Sequence, residues 1–213
     1  MALLLETTLG DLVIDLDVEG SPEICKNVLK LAKARYYTST LFYNIQPNRF
    51  CQLGDPQGDG SGGACIYGLI STLKADGGRL TNERVLKSQQ RFLKSNMGRP
   101  LTREECQEKG RVVATEMKGI ADTIGSQLLI TISEGKDMAL DGFRSNDYGD
   151  DRQLFRSVGM VREDNNHVLD QLAAAYCDAE GRPYADIRVI RALVVDDPFD
   201  DPPGMDELMK YRG

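Results

Sequence analysis

The stretch from Leu41 to Gly68 reads LFYNIQPNRFCQLGDPQGDGSGGACIYG and predicts three local structures in succession. Its apolar first half indicates a buried strand, Asp55-Pro56 indicates a tight turn, and the glycines that follow indicate a surface loop. A phosphate cradle would need a Gly-Lys-Ser/Thr sequence, and a calcium loop begun at Asp55 would need an acid where Ile66 stands. The glycines are therefore interpreted as shaping a long loop.

Before this stretch, the pattern predicts a hairpin and a helix. Residues Leu3 to Thr7 and Asp11 to Leu16 read as two strands joined at a Leu9-Gly10 turn. Ser21-Pro22 then offers a capping hydroxyl followed by proline at the first helical position, with apolar residues at helical spacing behind it. A helix of about 14 residues ending at Arg35 is expected.

After the glycine loop, the pattern returns to strands. Residues 111–115 and 127–132 read as strands separated by a loop at 119–125, residues 166–176 as a second helix, and residues 187–195 as a final strand. This order predicts a mainly β fold, a closed antiparallel barrel capped by two α-helices.

Length and composition favour one domain. The chain has 213 residues, of which 41% are hydrophobic, which is enough to bury a core. We assign residues 1–195 to the domain, with a basic insertion at 71–110. Residues 196–213 form an acidic, proline-rich tail, DDPFDDPPG, that leads into a short helix from Met205.

Charge is unevenly distributed. The net charge is −7, yet Lys74 to Arg111 contains ten basic and five acidic residues. This segment is either a solvated insertion, the more common case, or a contact for RNA or an acidic protein. Its one aromatic residue, Phe92, is too little for a base-stacking platform. No apolar run approaches the roughly 18 residues that cross a bilayer, so no membrane association is expected.

Cysteine and histidine usage argues against metal chemistry. The five cysteines are widely separated and odd in number, which favours a reducing compartment, cytosol or nucleus. The single histidine, His167, has no partner at metal-site spacing, so no metal and no cofactor are predicted. His167 is expected on a helix surface or end, and Cys51 is expected to be buried and inert.

Several motifs together resemble the cyclophilins, the peptidyl-prolyl cis-trans isomerases. They are LLETTLGDLVIDL at the start, Q-x-G-D at Gln52 to Asp55, G-x-G-x-G-G at Gly58 to Gly63, G-S-Q-L-L-I-T at Gly125 to Thr131 and L-D-G at Leu140 to Gly142. Each motif is weak alone, but their order and spacing are specific. The resemblance implies a closed eight-stranded antiparallel barrel with a proline pocket.

The resemblance also implies which residues form that pocket. The family's F-H-R segment corresponds to Phe42-Tyr43-Asn44, so Asn44 stands at the catalytic arginine position, beside a retained Gln52. The pocket's Phe and Met correspond to Arg49 and Phe50, although a slip of one residue would place Phe50 in the pocket instead. The remaining substrate-binding positions correspond to Met117, Lys118, Gln127, Leu129, Ala139 and Leu140. The pocket histidine has no counterpart; the nearest candidates are Phe155 and the 144–152 insertion.

Asn44 and the ending VVDDPFDDPP at 194–203 resemble one subgroup, the nuclear cyclophilin-like proteins that carry an RNA-recognition motif after the isomerase-fold domain. No such motif follows here, so the chain is either the first part of a longer protein or a relative without the second domain. The resemblance implies a monomeric interaction module in splicing that holds proline-containing segments with weak or no isomerase activity. Its expected location is the nucleus, with the cytoplasm as a second location. The alternative is an active isomerase that assists folding, in which Asn44 or a displaced Arg49 supplies the hydrogen bond.

Two readings stay open for the glutamines. Gln52 and Gln127 either anchor a substrate carbonyl or satisfy backbone groups of the barrel.

Overall fold

The computed structural model describes residues 1–76, 94–102, 104–117, 120–134 and 155–212. Its eight strands form one antiparallel sheet in the order β3-β4-β6-β5-β7-β2-β1-β8. The strands are β1 Ala2–Thr7, β2 Asp11–Leu16, β3 Tyr43–Gln46, β4 Phe50–Leu53, β5 Arg111–Met117, β6 Ile120–Thr131, β7 Phe155–Asp164 and β8 Val189–Val194. The predicted mainly β fold is confirmed.

The first hairpin forms because its apolar residues alternate. Leu3, Leu5, Leu12 and Ile14 are almost fully buried, while their neighbours along each strand are only partly covered. At the turn, the Thr7 hydroxyl donates to the Gly10 carbonyl at 2.6 Å. The prediction for this hairpin is confirmed.

The sheet is curled, and the expectation of a closed barrel is wrong in that respect. The segment that precedes β3 reaches the start of β8. A bridge joins Leu41 to Arg188, and the Phe42 amide donates to the Ile187 carbonyl at 2.8 Å. Val189, the first residue of β8, accepts the Ser39 amide at 2.8 Å and donates to the Thr40 carbonyl at 2.9 Å. Strands β3 and β8, of four and six residues, are the two ends of the strand order, and within the described residues no ladder pairs one with the other.

Four α-helices flank the sheet in the described part of the chain: the two that were expected to cap the barrel, the expected short helix of the tail, and one, Ile66–Asp76, that was not predicted. They are α1 Pro22–Lys33, α2 Ile66–Asp76, α3 Val168–Ala173 and α4 Met205–Arg212. In α1 the Ser21 side chain makes no capping hydrogen bond; its oxygen instead accepts the Arg99 amide at 2.9 Å. Helix α3 is shorter than predicted and leaves Tyr176 87% exposed.

Strand β6 is longer than predicted. The expected loop at 119–125 overlaps the start of the strand, which begins at Ile120. Pairing with β5, including Glu116 opposite Ile124, carries β6 through Asp122 and Gly125, two residue types that are depleted in strands.

The acidic tail packs against the domain. Met205 and Leu208 of α4 are buried in the main core. The Lys30 ammonium, which is fully buried, lies 2.7 Å from a carboxylate oxygen of Asp197 and 2.8 Å from one of Asp201. The tail is thereby held on α1 by a two-acid ion pair.

Within the described ranges, no helix is long and apolar enough to cross a membrane, and no three His, Cys, Asp or Glu residues converge to hold a metal. Cys51 is fully buried as predicted, and burial raises the pKa of its thiol to about 12. His167 lies exposed at the start of α3, also as predicted.

Candidate functional site: a cavity lined by carboxamides

Three neighbouring strands bring the predicted catalytic residues together. Gln52 on β4 lies opposite Tyr43 on β3 and Leu129 on β6. Asn44 lies at an irregularity in the β3 register and has a left-handed backbone with φ of 46°. Asparagine tolerates this conformation better than most residues, so the local backbone suits Asn44.

Four side-chain amides form a directed hydrogen-bond chain. Gln46 donates to Asn44 at 3.0 Å, Asn44 donates to Gln52 at 3.0 Å, and Gln52 donates to Gln127 at 2.7 Å. Gln127, which is 1% exposed, then donates to the carbonyls of Gly60 at 3.0 Å and Gly62 at 2.7 Å. Both amide hydrogens of Gln127 are thus used by the backbone, and its oxygen orients Gln52.

The glycine loop is held by a carboxylate at its centre. Asp55 is fully buried, and its oxygens accept the amides of Gln57, Asp59, Gly60 and Gly62 at 2.7–3.3 Å. These amides therefore point at the chain's own carboxylate, which supports the interpretation of the glycines as loop-shaping residues.

Gly54 permits this loop to approach β6. Its φ is 91°, and a Cβ at this position would lie 2.1 Å from the Ser126 carbonyl oxygen. Any side chain would force β4 and β6 apart below the cavity.

The amides form one wall of a cavity of about 580 Å³, called here the carboxamide cavity. Asn44, Gln52 and Gln127 line it together with Tyr43 and the glycine loop. The remaining lining residues are charged: Asp59, Glu116, Asp178, Glu180 and Arg182. The predicted pair Asn44 and Gln52 therefore faces a real cavity.

The predicted apolar pocket residues lie elsewhere. Phe50 is 1% and Leu129 3% exposed, and they pack with Leu101, Cys106, Val113 and Phe155 in a second core, called here the Phe50 cluster. Leu101 and Cys106 come from the end of the basic insertion. The chain's own side chains therefore cover Phe50 and Leu129.

Phe42 and Arg49 also lie outside the described lining of the cavity. Phe42 is fully buried in the main core. The Arg49 guanidinium carbon lies 5.6 Å from the centre of the Phe50 ring, within cation–π range. Its charge is therefore directed over Phe50.

Other predictions fall where the structure gives no side chain. Met117 ends β5 without a described side chain, and Lys118, Ala139, Leu140 and the 144–152 insertion lie outside the described residues, as does the basic insertion from 77 to 93. Their predicted roles stay predictions.

Sequence reasoning missed the loop at 178–182. The Gly181 carbonyl accepts the Ile45 amide at 2.7 Å, which brings Asp178, Glu180 and Arg182 to the cavity. The letters DAEGR indicate a turn, but nothing in them indicates that the turn returns to β3.

A curled eight-stranded antiparallel sheet with flanking helices and a glutamine-lined cavity is the architecture of a cyclophilin-like domain. The family model "Cyclophilin type peptidyl-prolyl cis-trans isomerase/CLD" matches residues 2–194. The chain belongs to this family, which confirms the resemblance read from its motifs.

Its similar relatives are longer proteins. Peptidyl-prolyl cis-trans isomerase cyp6 of Schizosaccharomyces pombe is 37% identical over 99% of this chain and 43% of its own length. Peptidyl-prolyl cis-trans isomerase-like 4 of Homo sapiens is 35% identical over 96% of this chain and 35% of its own length. The chain thus spans about two fifths of the curated relatives it matches.

Solved structures show the same fold. The crystal structure of a Cryptosporidium parvum cyclophilin-type isomerase in the presence of the dipeptide Ala-Pro superposes with a TM-score of 0.66 and 20% identity, covering 92% of this chain and all of that one. A second structure of that protein gives a TM-score of 0.61 with 22% identity, covering 92% and 98% of the two chains.

Proposed function

We propose that this domain is a peptide-interaction module of the cyclophilin family with weak or no isomerase activity. The main support for this proposal is the sequence position of Asn44 and the hydrogen bonds of its side chain. In the motif resemblance Asn44 corresponds to the family's catalytic arginine. Its side chain is hydrogen-bonded into a chain of neutral amides. Two of the apolar residues expected around a proline ring, Phe50 and Leu129, are buried in the Phe50 cluster.

Rotation about a prolyl bond must overcome a barrier of about 18–20 kcal/mol set by amide resonance. A catalyst lowers it by stabilising the twisted state, in which the lone pair localises on the imide nitrogen. Loss of one well-placed donor typically costs about 3–4 kcal/mol, or a factor of about 100 to 1,000 in rate. Asn44 offers a shorter, neutral donor, so charge assistance is lost.

The same amides suit peptide binding. Asn44 and Gln52 each donate one of their two side-chain amide hydrogens to a neighbouring amide oxygen, and both side chains are only partly buried. The second amide hydrogen of each is the candidate donor to a peptide. Backbone carbonyls of an extended segment are the natural acceptors for such donors. Gln127 acts behind them as a positioning residue.

The setting of the proposed module is a nuclear ribonucleoprotein assembly, with proline-containing segments of splicing proteins as partners. The resemblance of Asn44 and of the DDPFDDPP ending to the nuclear cyclophilin-like subgroup supports it. Monomeric state and contact with RNA through the basic insertion belong to the same proposal. Filter binding of RNA at several salt concentrations tests the last point, since phosphate contacts give a steep salt dependence.

A prolyl-isomerisation assay on a tetrapeptide tests the activity. We expect turnover far below that of an active cyclophilin and a partial gain, about tenfold or more, in Asn44→Arg, because one donor is worth up to about 1,000-fold. Asn48→Arg is the matched control: Asn48 also has a left-handed backbone, φ 64°, and is exposed on the β3–β4 turn outside the cavity. Equal gains in both variants would contradict the assignment.

An active isomerase is the second candidate, and Arg182 is the observation that favours it. This half-exposed cation lines the cavity with Asn44 and Gln52, and its guanidinium lies 3.9 Å from Asp186. If it replaced the missing arginine, the wild type would turn over rapidly and Arg182→Gln would lose about 100-fold. Arg162→Gln, on the exposed face of β7, is the control.

A further inference from the structure

The charged wall of the carboxamide cavity is strongly acidic. Four carboxylates, Asp59, Glu116, Asp178 and Glu180, line it, against the single described cation Arg182. They come from three separate parts of the chain: the glycine loop, the end of β5 and the 178–182 loop. A cavity that collects like charges from independent elements has an electrostatic preference for a cationic ligand.

The 178–182 loop is built to hold its acids in place. The Asp178 carboxylate accepts the amides of Glu180 at 3.1 Å and Arg182 at 2.8 Å. Gly181, with φ of 79°, packs so closely on β3 that a Cβ would lie 2.9 Å from the Ile45 carbonyl oxygen. The loop is thereby fixed against β3, and its charges need no rearrangement before binding.

A buried hydroxyl lies at the same wall. Tyr43 is 4% exposed and lines the cavity, and within the described part of the chain its hydroxyl lacks a partner at full hydrogen-bond geometry. Burial, together with the charges of Asp55 and Asp59, raises its pKa, and the neighbouring Gln52 side chain opposes this shift. The hydroxyl is therefore a neutral donor beside the acids, and a buried donor of this kind gains from a ligand acceptor.

Two exposed aromatic residues stand at the base of the loop. The Tyr184 amide donates to the Tyr176 carbonyl at 3.0 Å, and the side chains are 79% and 87% exposed. Tyrosine faces near carboxylates are a favourable environment for guanidinium and ammonium groups. This pair adds exposed aromatic surface at the base of the 178–182 loop.

We propose that the carboxamide cavity selects peptides in which Lys or Arg lies next to the segment held by Asn44 and Gln52. The inference rests on the proposed peptide-binding function and names its substrate class. Glu116 and Glu180 are the specificity-determining acids, since Asp178 and Asp59 accept backbone amides of their own loops.

Calorimetric titration of the whole chain with three peptides tests this proposal. The peptides share an Ala-Pro core flanked by Arg, by Gln or by Glu residues. We expect the Arg-flanked peptide to bind about tenfold or more tightly than the Glu-flanked one, with an affinity that falls as salt rises. Glu116→Gln combined with Glu180→Gln should weaken binding of the Arg-flanked peptide by about threefold to tenfold and leave the Gln-flanked peptide unchanged.

The matched control is Glu163→Gln, the same charge change at an exposed position on β7 outside the described cavity lining. It should not alter the preference. Equal affinity for the Arg- and Gln-flanked peptides would overturn the inference while leaving the proposed function intact. Failure of all three peptides to bind would overturn both.

Discussion

Replacing Gln127 by leucine tests the structural basis of the carboxamide chain. Leucine has a similar volume but offers no polar atom, so Gln127→Leu removes three hydrogen bonds at once. The buried Gly60 carbonyl is left without its donor, whereas Gly62 and Gln52 are partly exposed and can turn to water.

The size of the effect follows from these exposures. One buried group left unpaired costs about 1–3 kcal/mol, and two partly exposed bonds add about 0.5–1 kcal/mol each. We expect Gln127→Leu to lower the free energy of unfolding by about 2–5 kcal/mol. Gln46→Ala, which removes only the outermost and partly exposed bond, should cost under about 1 kcal/mol.

Urea unfolding followed by circular dichroism measures both variants, and an unchanged m-value shows that the comparison is valid. Amide hydrogen exchange adds a local readout, because the amides of Gly60 and Gly62 should exchange faster in Gln127→Leu. A smaller loss of stability in Gln127→Leu than in Gln46→Ala would refute the directed chain.

Two further predictions concern the tail and the Phe50 cluster. Lys30→Met should cost about 2–4 kcal/mol, near the lower end for a broken buried ion pair, because Asp197 and Asp201 are partly exposed. The ion pair raises the pKa of Lys30 above its ordinary 10.5 and lowers that of Asp201 below 3.8. The stabilisation by this pair should therefore be lost as pH falls below about 4 or rises through the pKa of Lys30. A difference in thermal unfolding temperature between Lys30→Met and wild type that does not change with pH would contradict this prediction. Leu101→Ala should destabilise the domain by about 2–4 kcal/mol and strengthen binding of an Ala-Pro dipeptide, because it uncovers Phe50. An NMR titration measures the dipeptide affinity. Loss of stability without tighter dipeptide binding would show that Leu101 does not cover a ligand site.

The parts of the fold that depend on local sequence could be predicted. The β1–β2 hairpin follows from alternation and a tight turn, and α1 follows from Pro22 and helical spacing. Helix α2 was missed because its first turn contains Gly68 and follows a glycine loop. It forms because the buried Asn27 side chain accepts the Ile66 amide at 2.8 Å, a contact between residues far apart in sequence.

The site was predicted in part for the same reason. Asn44 and Gln52 lie on adjacent strands, so motif spacing was enough to place them in one cavity. Glu180 and Arg182 reach that cavity through a backbone contact of Gly181 with Ile45, which no pattern in either segment encodes. Burial of Phe50 depends on Leu101 and Cys106, which are distant in sequence and lie in a segment without a strand or helix pattern.

We propose that a neutral amide replaces the cation that assists prolyl rotation. The specificity constant of the wild-type chain for isomerisation of an Ala-Pro tetrapeptide, measured beside an active cyclophilin under the same conditions, tests this replacement. We expect a value lower by about 100-fold or more, which corresponds to the loss of one transition-state donor. A value within about threefold of the active enzyme, a difference of under about 1 kcal/mol in barrier, would contradict it.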